Sequence, residues 1–181
     1  EVDYRTTYCS FYDGIGAQIP YKIKTENGSN TTGIMNTNVE WQDLPSLDGM
    51  FFFIADDNVH GVELWAYSHV NNTSWMVNDL YQGSTGSSPS NPIIVNDTLL
   101  FSAQTVDAGN ELWAYSLNNN TVWLVADINN GTDSSMVLNR MMVNVGNTIY
   151  FNADDGNSGT ELWGFNLSNF TTWLVADINP G

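Results

Sequence analysis

A pentapeptide that returns twice constrains this chain more than any other feature. Glu63-Leu64-Trp65-Ala66-Tyr67 recurs as Glu111-Leu112-Trp113-Ala114-Tyr115 and as Glu161-Leu162-Trp163-Gly164-Phe165, at spacings of 48 and 50 residues. A second tryptophan follows the first by ten residues in each unit (Trp75, Trp123, Trp173). Two positions on come Val77, Val125 and Val175, then Asp79, Asp127 and Asp177. Upstream, Phe53, Phe101 and Phe151 each precede the glutamate by ten, with Ala55, Ala103, Ala153 and Gly61, Gly109, Gly159 between them. Self-similarity at a fixed period of this size is the signature of a repeat architecture, in which each unit leans on its neighbours.

Each unit reads as three short strands, and no helix signature shows in residues 1–35. The first strand is Met50–Ala55, Thr98–Ala103 or Thr148–Ala153, with the aromatic and β-branched content that suits a pleated, half-buried surface. A polar loop through Gly61, Gly109 or Gly159 leads to the second, Glu63–Ser68, Glu111–Ser116 or Glu161–Asn166. Alternation there sets Leu64, Ala66 and Ser68 on one face and Glu63, Trp65 and Tyr67 on the other. The third is Ser74–Leu80, Val122–Ile128 or Thr172–Ile178, with Trp75, Val77 and Asp79 opposite Met76 and Leu80. Apolar patches at Ile93–Val95 and Met141–Val143 are candidates for a fourth strand. A sheet this small cannot bury its apolar face alone, so the units are expected to stack.

The expected architecture is therefore all-β. It is a propeller-like array of three antiparallel units (about 47–94, 95–143 and 144–181) in a repeat domain at 36–181, after an extended N-terminal segment at 1–35. Common propellers have four to eight blades, so three units predict an array that is open, closed by another chain, or completed by further sequence. Residues 36–48, with Trp41-Gln42-Asp43-Leu44-Pro45, read as a degenerate fragment of a preceding unit. At the other end, Asp177-Ile178-Asn179-Pro180-Gly181 matches Asp127-Ile128-Asn129-Asn130-Gly131, which another unit follows, so continuation and a true terminus both stand open. The start at Glu1, without an initiator Met, predicts either a removed leader or an excerpt of a longer protein.

These units resemble a family of extracellular repeats. Its consensus runs Leu-Phe-Phe, x-Ala-x-Asp, x-x-x-Gly-x, Glu-Leu-Trp, an Asp-Gly-Thr turn, then Leu-Val-x-Asp-Ile-x-x-Gly followed by Ser-Ser. The resemblance covers about residues 47–181. It runs through Phe53, Ala55, Asp57, Gly61, Glu63, Leu64, Trp65 and Asp79 in the first unit. In the second it takes in Phe101, Ala103, Gly109, Glu111, Leu112, Trp113, Val125, Asp127, Ile128, Gly131 and Ser134-Ser135. The third matches at Phe151, Ala153, Asp155, Gly159, Glu161, Leu162, Trp163, Val175, Asp177, Ile178 and Gly181. The resemblance implies a propeller-like module of a large secreted or surface protein, and it implies no catalytic residues.

The chain departs from that family at the middle turn. Asn71-Asn72-Thr73, Asn119-Asn120-Thr121 and Asn169-Phe170-Thr171 stand where Asp-Gly-Thr would, and each opens an N-glycosylation sequon at the same turn of its unit. Further sequons start at Asn27, Asn30, Asn72, Asn96, Asn130 and Asn166. The competing reading is that these are hairpin residues chosen because Asn tolerates the left-handed region and bonds its own backbone. Adjacent Asn71 and Asn72 would crowd each other as acceptors. Aligned acceptors in turns predict an extracellular or cell-surface glycoprotein.

Composition excludes several partners. Four Lys+Arg against 20 Asp+Glu give a net charge of −16. Nucleic acid and anionic membranes are poor partners for such a chain, because each phosphate contact asks for a cationic side chain. No apolar run approaches the ~20 residues of a membrane span. Charged residues make up only 13 %, about half the roughly 25 % usual in globular domains, while the aromatic content is too high for an acidic disordered tail.

No cofactor is expected. Asp56-Asp57 and Asp154-Asp155 occupy equivalent loops and are weak Ca²⁺ candidates against the simpler reading of loop caps, and Asp79, Asp127 and Asp177 read as turn caps. His60 and His69 are too few and too far from Cys9 for a zinc site or a triad, and no Gly-x-Ser-x-Gly elbow exists. Glu63, Glu111 and Glu161 offer glycosidase-type carboxyls, but a group repeated once per unit points to structure. Six tryptophans in register (Trp65, Trp113, Trp163, Trp75, Trp123, Trp173) are expected in the core and not on a sugar platform.

Cys9, the only cysteine, cannot form an intramolecular disulfide; a buried residue, a free thiol and a bridge between subunits stay open. The N-terminal segment, rich in Tyr, Thr and Phe, suits pairing with its own sheet or strand addition to a neighbouring subunit, which would build a homo-oligomer or polymer. The leading expectation is a non-enzymatic structural subunit of an extracellular fibre or surface layer, carrying covalent glycans. A propeller-type module that binds carbohydrate or protein is the alternative.

Overall fold

The structure is a computed structural model of the 181-residue chain, and it describes residues 9–12, 18–21, 46–47, 49–68, 70–136 and 142–178. Strands β1 (Cys9–Tyr12) and β2 (Gln18–Tyr21) make an antiparallel pair of their own within the N-terminal segment. The repeat region forms three four-stranded antiparallel sheets. Sheet 1 holds β3 (Ser46–Leu47), β4 (Met50–Asp56), β5 (Val62–Ser68) and β6 (Thr73–Met76). Sheet 2 holds β7 (Ser90–Val95), β8 (Thr98–Thr105), β9 (Gly109–Ser116) and β10 (Val122–Ala126). Sheet 3 holds β11 (Val143–Val145), β12 (Thr148–Asp154), β13 (Thr160–Asn166) and β14 (Thr171–Ala176). Each sheet runs in chain order, and the described residues contain no helix, hence none able to cross a membrane.

The register explains the sequence spacing. Phe53 stands opposite Trp65, Phe101 opposite Trp113 and Phe151 opposite Trp163. On the other side of the motif strand, Ala66 faces Trp75, Ala114 faces Trp123 and Gly164 faces Trp173. The residues that recur in each unit are thus cross-strand neighbours, the pairs through which a sheet gains most of its side-chain stabilisation. Both units have a fourth strand: β7 contains the Ile93–Val95 patch, whereas β11 shares only Val143 with the expected Met141–Val143 and runs on to Val145. Each pairs with the strand after it and so opens the next sheet.

The third strands are shorter than alternation predicts. β6 stops at Met76, and Leu80, expected on the face opposite Trp75 and Val77, packs into the same cluster as they do, because alternation holds only while the chain stays extended.

The core lies between the sheets. Phe52, Leu64 and Ala66 of sheet 1 pack against Leu99, Phe101, Ala103 and Tyr115 of sheet 2. The same positions repeat one sheet further on, where Leu100, Leu112 and Ala114 meet Ile149, Phe151, Ala153 and Phe165. A third cluster, Phe53, Trp65 and Tyr67, occupies the other face of sheet 1. Every sheet therefore has an incoming face, built on the Phe-x-Ala and Trp-x-Tyr positions, and an outgoing face, built on the leucine and alanine of the motif.

Two glycines let the crossovers lie against the motif strands. Gly61 has φ +70°, and a Cβ there would sit 2.5 Å from the amide nitrogen of Gly86. Gly109 has φ +58°, and its Cβ would meet the carbonyl oxygen of Asp133 at 2.3 Å. Gly159 shares the backbone conformation, φ +75°, but has nothing within 4 Å. Alanine at Gly159 is expected to cost about 1–2 kcal/mol for the left-handed backbone alone. At Gly61 or Gly109 the displaced crossover should add to that strain, for a total of about 3–5 kcal/mol in denaturant unfolding.

Candidate functional site

The repeated glutamates open the motif strands and are all buried. Glu63 Oε1 accepts the amide of Ser87 at 2.8 Å and that of Tyr81 at 3.3 Å, while the Ser87 hydroxyl donates to Oε2 at 2.5 Å. Ser135 repeats the arrangement one unit later. Its amide donates to Glu111 Oε1 at 2.9 Å and its hydroxyl to Oε2, beside the amides of Ile128 at 3.1 Å and Asn129 at 3.5 Å. Glu161 Oε2 accepts the Ile178 amide at 2.6 Å, the counterpart of the Ile128 bond.

The same two serines reach forward as well. The Ser87 carbonyl accepts the amide of Gln104 on β8 at 2.8 Å, and the Ser135 carbonyl accepts that of Asp154 on β12 at 3.0 Å. One serine per crossover thus ties the sheet behind it to the sheet ahead. Enclosed in this way, Glu63 and Glu111 present no surface to a dissolved substrate.

The hairpin tips carry the aligned sequons. Thr73, Thr121 and Thr171 each donate Oγ1–H to the side-chain oxygen of Asn71, Asn119 and Asn169, at 2.7 Å in every case. That bond engages the carboxamide oxygen and leaves the nitrogen, the atom a glycan would join, outside it. All three asparagines are exposed. The middle residue of each tip is left-handed: Asn72 at φ 56°, Asn120 at φ 57° and Phe170 at φ 56°. Asn72 and Asn120 use their side-chain oxygens on the Tyr67 hydroxyl (3.1 Å) and the Tyr115 hydroxyl (2.7 Å). In the third unit both partners change together, and Phe165 and Phe170 bring their rings to 6.3 Å instead. Asn72 therefore has a structural task that Asn71 does not.

Other sequons fall around the same tips. Asn96 is an exposed residue at φ 53° in the β7–β8 turn, and Asn166 ends β13 with its side-chain oxygen accepting the amides of Ser168 (2.8 Å) and Asn169 (3.4 Å). Strand connectivity puts turns 70–72, 96–97, 117–121, 146–147 and 167–170 at one end of the sheets. Loops 57–61, 106–108 and 155–159 lie at the other end with both crossovers and with exposed Asn130. Asn71, Asn72, Asn96, Asn119, Asn166 and Asn169 thus share one end, while Asn27 and Asn30 lie outside the described residues.

The acidic loops close on themselves. Asp56 Oδ1 accepts the Asn58 amide at 2.7 Å, and Asp57 Oδ1 accepts those of Val59 at 2.9 Å and His60 at 2.8 Å. Asp154 and Asp155 cap Gly156, Asn157 and Ser158 in the same way, at 2.8, 2.9 and 2.7 Å. Partial burial pushes the Asp57 carboxyl up, but hydrogen bonds from His60 and Val59 outweigh it and hold the group below its ordinary value. The 2.6 Å bond that Asp57 Oδ2 accepts from His60 Nδ1 raises the imidazole in return. Among the described residues no group of three or more His, Cys, Asp and Glu side chains could hold a metal ion. Asp127 Oδ2 caps the Gly131 amide at 3.2 Å, whereas Asp79 Oδ1 is buried without a partner among the described residues.

The tryptophans divide by face. Trp65 is buried beside Phe53; Trp75 and Trp113 border the cluster between sheets 1 and 2, and Trp123 and Trp163 the one between sheets 2 and 3. Trp173, expected in the core with them, is exposed, because among the described residues no sheet lies against its face. The indole nitrogens of Trp65, Trp113 and Trp163 are buried with no acceptor among the described residues, so these rings contribute through apolar area. Cys9 begins β1 opposite Tyr21, and Trp41 and His69 lie outside the described residues.

Sequence reasoning did not single out Ser87 and Ser135 as partners of the glutamates. The readable signal was a constant Glu-to-Ser spacing of 24 residues in two units. No protein-family model matches the chain, and no curated protein matches it.

Burial pushes the Glu63 and Glu111 carboxyls up, and the hydrogen bonds from the serines and the crossover amides pull them back only in part. Since the folded values exceed the unfolded ones, the stability linked to these groups is complete below the ordinary glutamate range. It is lost as pH rises through the folded values. In urea unfolding between about pH 4 and pH 7, the wild-type chain should lose stability relative to Glu111→Gln as pH rises. A difference that grows with pH in the wild type's favour would contradict the assignment.

Proposed function

We propose that the chain is a secreted, N-glycosylated structural protein, a subunit or module of an extracellular fibre or surface layer. Its sheets are the blades of a propeller-like repeat array. The observation that carries this reading is the placement of the aligned sequons: Asn71, Asn119 and Asn169 sit exposed, in one geometry, at one end of three successive sheets. Glycans there would coat one end of the array and leave the sheet interfaces and the crossovers free.

A net charge of −16 with only four cationic side chains makes a bare surface self-repelling, and neutral sugar would space and solvate it. The side chains that chemistry could have used support a non-enzymatic role. Two of the repeated glutamates are consumed in tying crossovers, and the aspartate pairs cap their own loops. The N-terminal pair β1–β2, with Cys9 in β1, is the segment proposed to add to a neighbouring subunit and make the polymer.

The test is intact mass with multi-angle light scattering on chain secreted through a glycosylating pathway, before and after enzymatic deglycosylation. The reading expects a mass well above 20.1 kDa per chain, occupancy at Asn71, Asn119 and Asn169 but not at Asn72, and assemblies of many subunits. An unmodified 20.1 kDa monomer would overturn it.

A further inference from the structure

We propose that the outgoing face of sheet 3 is a docking surface whose occupant is a further sheet of this same repeat type, seated as sheet 3 is seated on sheet 2. The inference deepens the stacked-array reading above and rests on it, but needs neither glycans nor polymer. Its basis is a comparison of equivalent positions. On sheet 2, Ile93, Val95, Trp123, Val125 and Ile128 pack against the cluster that sheet 3 completes. Their counterparts on sheet 3 are Val143, Val145, Trp173, Val175 and Ile178, and these are 45, 60, 37, 39 and 74 % exposed.

Those five account for most of the large apolar side chains left exposed among the described residues, and they lie in β11, in β14 and two residues past its end. Contiguous apolar surface of this kind marks an interaction site. The face repeats, one sheet on, the outgoing half of an interface the molecule already builds twice, which fixes the chemistry of its occupant. That occupant must present an aliphatic-x-Phe-x-Ala strand beside a strand carrying Tyr or Phe, as Leu99, Phe101, Ala103 and Tyr115 do, and as Ile149, Phe151, Ala153 and Phe165 do.

A second copy of the chain is the less suitable occupant. Among the described residues, its only incoming face of this chemistry that is not already seated on a sheet is that of sheet 1, where Phe53, Trp65 and Tyr67 are buried. Sheet 3 itself shows a local adjustment: Gly164 replaces the alanine of the other units, and the Trp173 ring lies so close that a Cβ there would meet it at 2.7 Å. The ring folds over the neighbouring strand β13 and covers part of the face.

The experiment appends a second copy of residues 132–181 after Gly181, which preserves the repeat register because Gly131 and Gly181 are equivalent. The probe is paramagnetic broadening, by a soluble gadolinium chelate, of the Trp173 indole proton, assigned through Trp173→Phe. In the 181-residue chain the signal should broaden strongly. In the extended chain it should be shielded several-fold, with added sheet signal in circular dichroism, and Val175→Asp in the extended chain should restore the broadening.

An appended segment that folds but leaves Trp173 as accessible as before would overturn the proposal, and so would one that stays unfolded. Concentration-dependent dimerisation of the 181-residue chain that shields Trp173 would also overturn it, by making a second copy the occupant. Because the readout is local and uses unglycosylated protein, absence of glycans or fibres leaves it intact.

Discussion

Glu63 and Glu111 are carboxylates enclosed by protein, and each of their oxygens is spent on the crossover that leaves the sheet. Removing such a group from water is costly, and hydrogen bonds from amides and a hydroxyl offset the cost only if they are held in place. That requirement fixes the course of the crossover. Ser87 and Ser135 must sit over the motif strand, and from there their carbonyls meet β8 and β12. The spacing between sheets, the seating of one apolar face on the next, and the close approach at Gly61 and Gly109 all depend on that junction.

The junction also explains why a small set of residues recurs while the rest of each unit drifts. Phe101, Ala103, Leu112 and Ala114 are held by burial between sheets, and Glu111 by its bonds. The hairpin tips obey a looser rule. They need a left-handed middle residue and a contact back to the motif strand, which Tyr115 with Asn120 and Phe165 with Phe170 provide by different chemistry. Aromatic packing can replace a hydroxyl bond at such a tip because the site is half open to solvent and neither partner is left buried and unpaired.

Much of the sheet structure was legible in the sequence, because period-two alternation and a fixed repeat report strands and their partners directly. The four-strand meander needed β7 and β11, whose apolar runs are short and whose allegiance to the following sheet is a matter of pairing that periodicity does not encode. Alternation extended past the end of β6 puts Leu80 on the wrong face, because the chain is no longer a strand there. Trp173 shows the opposite limit. Its place in the repeat is that of Trp75 and Trp123, and its exposure follows what lies against the sheet. The aligned sequons could be found from spacing alone, whereas the separate tasks of Asn71 and Asn72 required knowing that the Tyr67 hydroxyl points at the second of them.

The claim on which the account stands is that the crossover serines belong to the core although they lie in loops without regular structure. Amide hydrogen exchange at Ser87 and Ser135 tests this directly. Both amides are expected to exchange as slowly as those of the buried strands at Leu100 and Leu112, opening only with global unfolding, while Gly83 and Thr132 in the same crossovers exchange as exposed loop. Exchange of Ser87 and Ser135 at the rate of their loop neighbours would contradict it, and the sheets would then have to be held together by apolar contact alone.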